Sequence, residues 1–517
     1  MSWQDDIDEL RRREALGRSM GGPEKIKRHH DGGKLTVRER VDRLIDPGSL
    51  HEIGATAGWA EYGPDGDISK FTPANFVLGR ANIDGRRVVI AGDDFTVRGG
   101  ANDGAVKGKV LMSEQMARDL QLPIVRLVDG TGGGGSVKNI EIVGHTLLPG
   151  GENRYWDFMV ENLATVPVVA LALGSTAGLG AARVAASHYS VMVKETSQMF
   201  VAGPPVVART GEVREKNELG GSHIHTRNGA VDDEAESEDE AFAMARRFLS
   251  YLPSSVHGLP PRADPADDTD RRDDWLLESV PRDRRKVYPM RRIIDAVVDR
   301  DSFFEMGRMW GRPVITGFAR LDGWPVAVMA SDPHHYGGCW TASASEKVQR
   351  FCDLAEVFHL PVVHLVDVPG FLIGLEAEQA ATIRYGARAL ASILQTSVPW
   401  CTMIIRKVFG VAGSAHQNTG HYCMRYAWPS GDWGSLPVEG GVEAAYRAEI
   451  EAADDPDAKL AEITARLEEL RSPFRAAEAF LPEEIIDPRD TRPLLCEFAN
   501  IAAPLRQTGV TRFTYRP

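Results

Sequence analysis

The residues with the most chemical potential in this chain are glycines, not acids or nucleophiles. Asp129-Gly130-Thr131-Gly132-Gly133-Gly134-Gly135-Ser136 follows a short apolar run, and its four successive glycines remove every Cβ that would keep a ligand off the backbone. Gly174-Ser175-Thr176-Ala177-Gly178-Leu179-Gly180 opens a small-residue helix, and Arg406-Lys407-Val408-Phe409-Gly410-Val411-Ala412-Gly413-Ser414-Ala415 is its counterpart later in the chain. Amides at a helix start are fixed donors in a favourable dipole, which suits them to a thioester oxygen becoming an enolate. That arrangement is an oxyanion hole; the competing reading is that the glycines serve only tight turns and close packing.

Side chains offer less. No convincing Ser-His-Asp or Cys-His constellation is found. His334-His335 and His223-x-His225 have no third ligand at metal spacing and read as loop or contact histidines. Lys107 and Lys109, beside Gly99-Gly100, are candidates for ligand phosphates, with helix-surface lysines as the alternative. Gly174 to Gly180 also imitates a dinucleotide loop, but it lies deep within its domain and no Tyr-x-x-x-Lys follows it.

These loops need a scaffold, and the chain supplies it twice. Pro123-Ile124-Val125-Arg126-Leu127-Val128-Asp129 is echoed by Pro361-Val362-Val363-His364-Leu365-Val366-Asp367, 238 positions on. The same frame carries Gly79, Asp84, Gly85, Gly99, Gly100 and Lys109 onto Gly317, Asp322, Gly323, Gly337, Gly338 and Lys347. Each copy reads as an Asp-Gly turn, a β-branched strand, a Gly-Gly loop, an amphipathic helix and an apolar strand ending in Asp. A second cycle follows, with helices around 154–164 and 383–395 leading into Val166–Leu173 and Val398–Ile405. Buried strands alternating with helices mean a parallel sheet in an α/β fold, where ligands gather beyond the strands' carboxyl ends. The expected division is residues 1–260, a polar linker over 261–285, and residues 286–517. The acidic stretch Asp232–Glu240 reads as a helix N-terminus.

Composition sets the outer bounds. At 517 residues two domains are the prior, and 43% hydrophobic and 26% charged residues allow ordinary globular folding. No apolar run reaches membrane length and Met1–Asp6 is no signal peptide, so the expectation is a cytoplasmic protein with no membrane partner. The net charge of −13 disfavours nucleic acid, with Lys25–His30 a solvated helix end or a phosphate contact. Five scattered cysteines predict free, mostly buried thiols.

The residues quoted above resemble the carboxyltransferase β subunits of biotin-dependent acyl-CoA carboxylases of the propionyl-CoA and acetyl-CoA type, over nearly the whole chain. The most specific matches are Arg350-Phe351-Cys352-Asp353, Val366-Asp367-Val368-Pro369-Gly370-Phe371, Ile383-Arg384-Tyr385-Gly386-Ala387, Arg406-Lys407, Tyr426-Ala427-Trp428-Pro429 and Lys34–Arg40. The resemblance implies tandem duplicated crotonase-like β-β-α superhelix domains, a hexamer, and active sites between the N-terminal domain of one subunit and the C-terminal domain of another. No Met-Lys-Met is present, so carboxybiotin would arrive from a biotin carboxylase and carrier subunit, and no metal is implied. Gly132 and Gly133 align with the amides that hold the acyl-CoA thioester oxygen, Val411 and Ala412 with those that hold the biotin ureido oxygen. Gly134, Gly178 and Ser414 would line the substrate, with Lys107 and Lys109 toward coenzyme A. The biotin anion can itself take the substrate proton.

Several departures mark this chain, among them a longer segment before Gly174 and Leu179 in place of a familiar glycine. Asp-Ser-Gly-Gly-Ala-Arg is replaced by Asp129-Gly130-Thr131-Gly132-Gly133-Gly134, Gly-Gly-Ala by Gly410-Val411-Ala412, and a common pocket-floor Asp by Ser414. A β-branched residue at 411 narrows the approach and forbids a positive φ. The acyl group is therefore expected to be more polar or bulkier than propionyl. The alternatives are a decarboxylase subunit of a sodium-pumping complex, a hydratase with paired acids such as Glu141 and Glu152, and a non-catalytic paralogue.

Overall fold

Asp84-Gly85 and Asp322-Gly323 turn equivalent hairpins in the two halves, Phe76–Ile83 with Arg86–Asp93 and Val314–Leu321 with Trp324–Ser331. Their φ values are 49° and 76° in the first pair and 50° and 76° in the second, as the tight two-residue turn that matches strand twist requires. The computed structural model describes residues 2–101, 106–130, 140–141, 144–146, 154–265 and 267–517, with the backbone alone at Lys107, Glu439 and Gly440. It divides into one unit of Met1–Gly258 with Thr514–Pro517 and a second of Leu259–Phe513.

In the first unit the main sheet contains β1 (His51–Glu52), β2 (Phe76–Ile83), β3 (Arg86–Asp93), β4 (Ile124–Val128), β5 (Val168–Ala172), β6 (Tyr189–Val193) and β7 (Asp233–Ala235), hydrogen-bonded in that order. In the second the sheet runs β8 (Phe304–Met306), β9 (Val314–Leu321), β10 (Trp324–Ser331), β11 (Val362–Val368), β12 (Trp400–Phe409), β13 (Met424–Ala427) and β14 (Glu484–Ile485), with Asp432–Gly434 paired to β12. In both sheets the first pairs are antiparallel and those from the third strand onward are parallel. The parallel strands β4, β5 and β11 are buried along their whole length, as sheets covered on both faces demand.

The repeat is visible strand by strand. β2 and β3 superpose in numbering on β9 and β10, 238 positions on, and Arg98–Gly100 on Tyr336–Gly338. Beyond β4 the frame shifts: Ile124 pairs with Val168, whereas Val362 pairs with Trp400, so the first copy carries six more residues before its next strand. The expected helices run Tyr155–Asn162 and Thr382–Gln395. Ser237 caps Glu238–Ser250, whose first turn holds Glu238, Asp239 and Glu240 where the helix dipole favours them.

Met290–Val297 and Thr491–Ala502 close one face of the second sheet, contributing Ile293, Ile294, Leu495 and Phe498 to its core. Within 261–285 the chain also packs: Leu276 enters that core, and Arg271 donates to the carbonyls of Ala296 and Val298. The five cysteines are free, with Cys352, Cys401 and Cys496 buried. Among the described residues no helix is long and apolar enough to cross a membrane.

Candidate functional site

At the carboxyl end of β12 the backbone turns abruptly. Phe409 is extended, with φ −124° and ψ 145°, and Gly410 takes φ 59°, a conformation glycine adopts without steric cost. Residues Gly410–Ser414 form a single helical turn, whose first amides have no acceptor one turn earlier. Gly413 has no room for a side chain, because an added Cβ would lie 2.8 Å from the carbonyl carbon of Val408. Ala412 is buried beneath this turn, whereas Val411 is 54% exposed. The positive φ of this turn lies at Gly410 and not at position 411, where a β-branched residue forbids one, so Val411 narrows the approach without straining the backbone. Ser414 is exposed, and its hydroxyl donates to the Val411 carbonyl at 2.6 Å.

What holds this turn in place is the repeated aspartate. Asp367, fully buried at the end of β11, accepts from the Lys407 amide at 3.0 Å, the Tyr288 hydroxyl at 2.9 Å and the Arg406 guanidinium at 3.0 Å. Arg406, itself buried, also donates to the Lys286 carbonyl. Burial beside this carboxylate pushes the Tyr288 hydroxyl's pKa well up, so it stays protonated and donating. The aspartate thus fastens β12 to β11 three residues before the Gly410 turn.

Asp129 has the same position in the first unit and a different cation. Arg40, from the helix Val37–Leu44, donates to it at 2.8 Å, to Glu238 at 2.7 Å and to the Leu173 carbonyl at 2.9 Å. Charge pairing outweighs the desolvation that burial imposes on Arg40 and holds its pKa above the ordinary value. The other Asp129 oxygen, Oδ1, has no hydrogen-bond partner among the described residues and lies where a Gly174 Cβ would come within 1.8 Å of it. Behind it, Arg183 pairs with Asp93 and Arg126 with Glu114, all buried. Sequence reasoning missed these partners, because no local spacing links them.

Glycines crowd this end of the first sheet. A Cβ on Gly130 would stand 2.3 Å from the Gly100 carbonyl oxygen, and one on Gly180 would stand 2.6 Å from the Gly130 carbonyl oxygen. These positions are glycine for close packing. Gly178 has φ 55°, and its amide donates to the Phe200 carbonyl at 3.1 Å, which leaves the donors of this short helix to Leu179 and the residues after it. Gly132, Gly133 and Gly134 lie outside the described residues, as does the side chain of Lys107.

Lys109 is directed inward. It is 8% exposed, and its ammonium donates to the Gly54 carbonyl at 3.1 Å, while burial pushes its pKa down to about 8. Lys347, its counterpart, caps the carbonyls of Gly307, Trp310 and Val314. Each lysine thus ties its helix to backbone carbonyls of the segment leading into the hairpin. His225 is bonded to the Met199 carbonyl, and His334 and His335 lie within 3.4 and 3.8 Å of Asp332. Lys25–His30 belongs to the helix Pro23–Asp31, in which His29 is buried against the Leu35 carbonyl.

Known proteins resemble this chain in sequence and in fold. A propionyl-CoA carboxylase carboxyltransferase subunit of Haloferax mediterranei is 34% identical over 499 residues, covering 95% of both chains. A methylmalonyl-CoA decarboxylase subunit alpha of Veillonella parvula is 32% identical, covering 98% of this chain and 97% of its own. The crystal structure of a transcarboxylase 12S hexamer, with methylmalonyl-coenzyme A and methylmalonic acid bound, superposes with a TM-score of 0.88 and 30% identity over 99% of each chain. The carboxyl transferase domain model matches residues 28–513, so this chain, with its duplicated α/β crotonase-like sheets, belongs to that family of enzymes.

Proposed function

We propose that this chain moves a carboxyl group between biotin, carried by a partner subunit, and the α-carbon of an acyl-CoA thioester, working as a hexamer. The observation that carries the reading is the Gly410–Ser414 turn, a set of backbone donors at the end of a buried parallel strand in a chain of this family. The Val411 and Ala412 amides would hold the biotin ureido oxygen once the carboxyl group leaves. Gly132 and Gly133 would hold the thioester oxygen as the α-proton passes to biotin nitrogen and the new carbon–carbon bond forms. Backbone donors fixed before the reaction stabilise such charge without reorganisation, each worth roughly a hundredfold or more in rate.

The acyl group is more polar or bulkier than propionyl. Exposed Val411 and Ser414 support this, since they change the shape and polarity of the approach to the turn. Direction of transfer is set by the partner, since a carboxylase subunit at 34% identity and a decarboxylase subunit at 32% both match nearly the whole chain. The test is bicarbonate fixation by the chain with a biotin carboxylase and carrier subunit across a panel of acyl-CoA esters. Fixation peaking beyond propionyl-CoA is expected; a wide preference for propionyl-CoA would overturn the acyl assignment, and no fixation with any ester would favour a non-catalytic role.

A further inference from the structure

The two units share a backbone plan but differ at the end of the sheet remote from the glycine loops. In the first unit a cleft of about 450 Å³ opens there, lined among others by His51, Arg80, Asn82, Arg87, Leu120 and Leu122. His51 sits directly opposite Arg80 across β1 and β2, and Asn82, two residues along, sits opposite Arg87. Paired residues and those two apart share a face, so the imidazole and both guanidiniums point the same way, with diagonal neighbours about 7–8 Å apart. Among the described residues neither guanidinium has a hydrogen-bond or ion-pair partner. The nearby Asp46 carboxylate is taken up by the Asp84 and Gly85 amides of the hairpin turn.

The second unit shows what the fold alone requires at this place. There the pair His51–Arg80 becomes Phe304–Phe318, and Arg87 becomes Pro325. Leu120 and Leu122 become Phe358 and Leu360. Phe318, Phe358 and Leu360 are fully buried, whereas Leu120 is 50% exposed. One copy fills the position with apolar side chains; the other keeps it open and gathers like charges, in a chain of net charge −13. Like charges on neighbouring strands are unfavourable unless an anion joins them.

We infer that this cleft is a binding site for a phosphate monoester carried on a small apolar body, separate from the carboxyl-transfer end. Two guanidiniums match a dianion: a phosphate monoester holds about −1.5 to −2 charges at neutral pH, and the planar fork of arginine fits its oxygens in pairs. Leu120 and Leu122 supply the contact for the body, and the volume falls within the range of about 300–1,000 Å³ usual for small-molecule sites.

Phenyl phosphate is the probe, titrated calorimetrically into the full chain in its native oligomer with coenzyme A saturating, so that the substrate's own phosphate contacts are occupied. Binding is expected to persist under coenzyme A, to weaken about tenfold or more in each of R80Q and R87Q, and to be weaker for inorganic phosphate and for benzoate. L120S should weaken phenyl phosphate while leaving inorganic phosphate unchanged, which reads the apolar contact without touching a charge. Carboxyl transfer and thermal unfolding of these surface variants should match the parent. The inference is overturned if phenyl phosphate does not bind under saturating coenzyme A, if both arginine variants bind it as the parent does, or if phosphate or benzoate binds as tightly.

Discussion

Replacing Arg40 by Met takes one cation away from two buried carboxylates, while replacing Arg406 by Met takes one away from a single carboxylate that keeps other donors. Without Arg40, among the described residues Asp129 loses its hydrogen-bond donor to Oδ2, leaving the His29 ring 3.7 Å away and Oδ1 unpartnered, and Glu238 keeps the Leu35 amide at 3.3 Å. Without Arg406, Asp367 retains the Tyr288 hydroxyl at 2.9 Å and the Lys407 amide at 3.0 Å. Breaking a buried pair costs about 3–5 kcal/mol, and each hydrogen bond to a charge is worth about 1.5–3 kcal/mol. R406M should therefore cost its unit about 3 kcal/mol, and R40M its own about 5 kcal/mol. Native-state amide exchange in β4 and β11 reads each unit separately and uses the unmutated unit as internal reference. The loss in R40M should also shrink as pH falls. An unpaired buried carboxylate has its folded-state pKa raised above the unfolded value, so the folded state takes up protons first and regains stability on acidification. Equal losses in the two variants, or an R40M loss that ignores pH, would refute this account of the anchors.

His364, buried in β11, has its pKa pushed down to about 3 by desolvation, so it contributes no pH dependence above about pH 7. Between its unfolded value and 3 the unfolded chain binds the extra proton, and stability falls with acidity by about 1.4 kcal/mol per pH unit from this group; H364Q should flatten that limb in denaturant melts from pH 7 to 4. G410A forces an alanine into φ near 59° at a cost of about 1–2 kcal/mol. If its turn supplies the donors, kcat should drop about a hundredfold with little change in KM. K109M should leave KM for acyl-CoA unchanged, since the ammonium is bonded to the Gly54 carbonyl; a rise of tenfold in steady-state assays would restore the phosphate role.

The duplicated hairpins could be read residue for residue, because Asp-Gly turn chemistry and β-branched runs are local signals that a shared frame of 238 makes hard to miss. The glycine loops stood out in the sequence, but not which of their glycines serve packing. Gly130, Gly174 and Gly180 answer to atoms of other loops, and Gly178 spends its amide on Phe200. The anchors were illegible for the same reason. Asp129 and Asp367 repeat, yet the cation comes from 89 residues upstream in one copy and 39 downstream in the other. For Lys109, adjacency to Gly99-Gly100 suggested a ligand, while the direction of its side chain depends on where Gly54 folds back.

The measurement closest to the central claim is transfer of radiolabel from the free carboxyl group of a carboxylated acyl-CoA to free biotin by this chain alone. The account predicts labelled carboxybiotin and decarboxylated acyl-CoA appearing together, dependent on biotin and lost in G410A. Decarboxylation that proceeds equally without biotin, or transfer untouched by G410A, would contradict it.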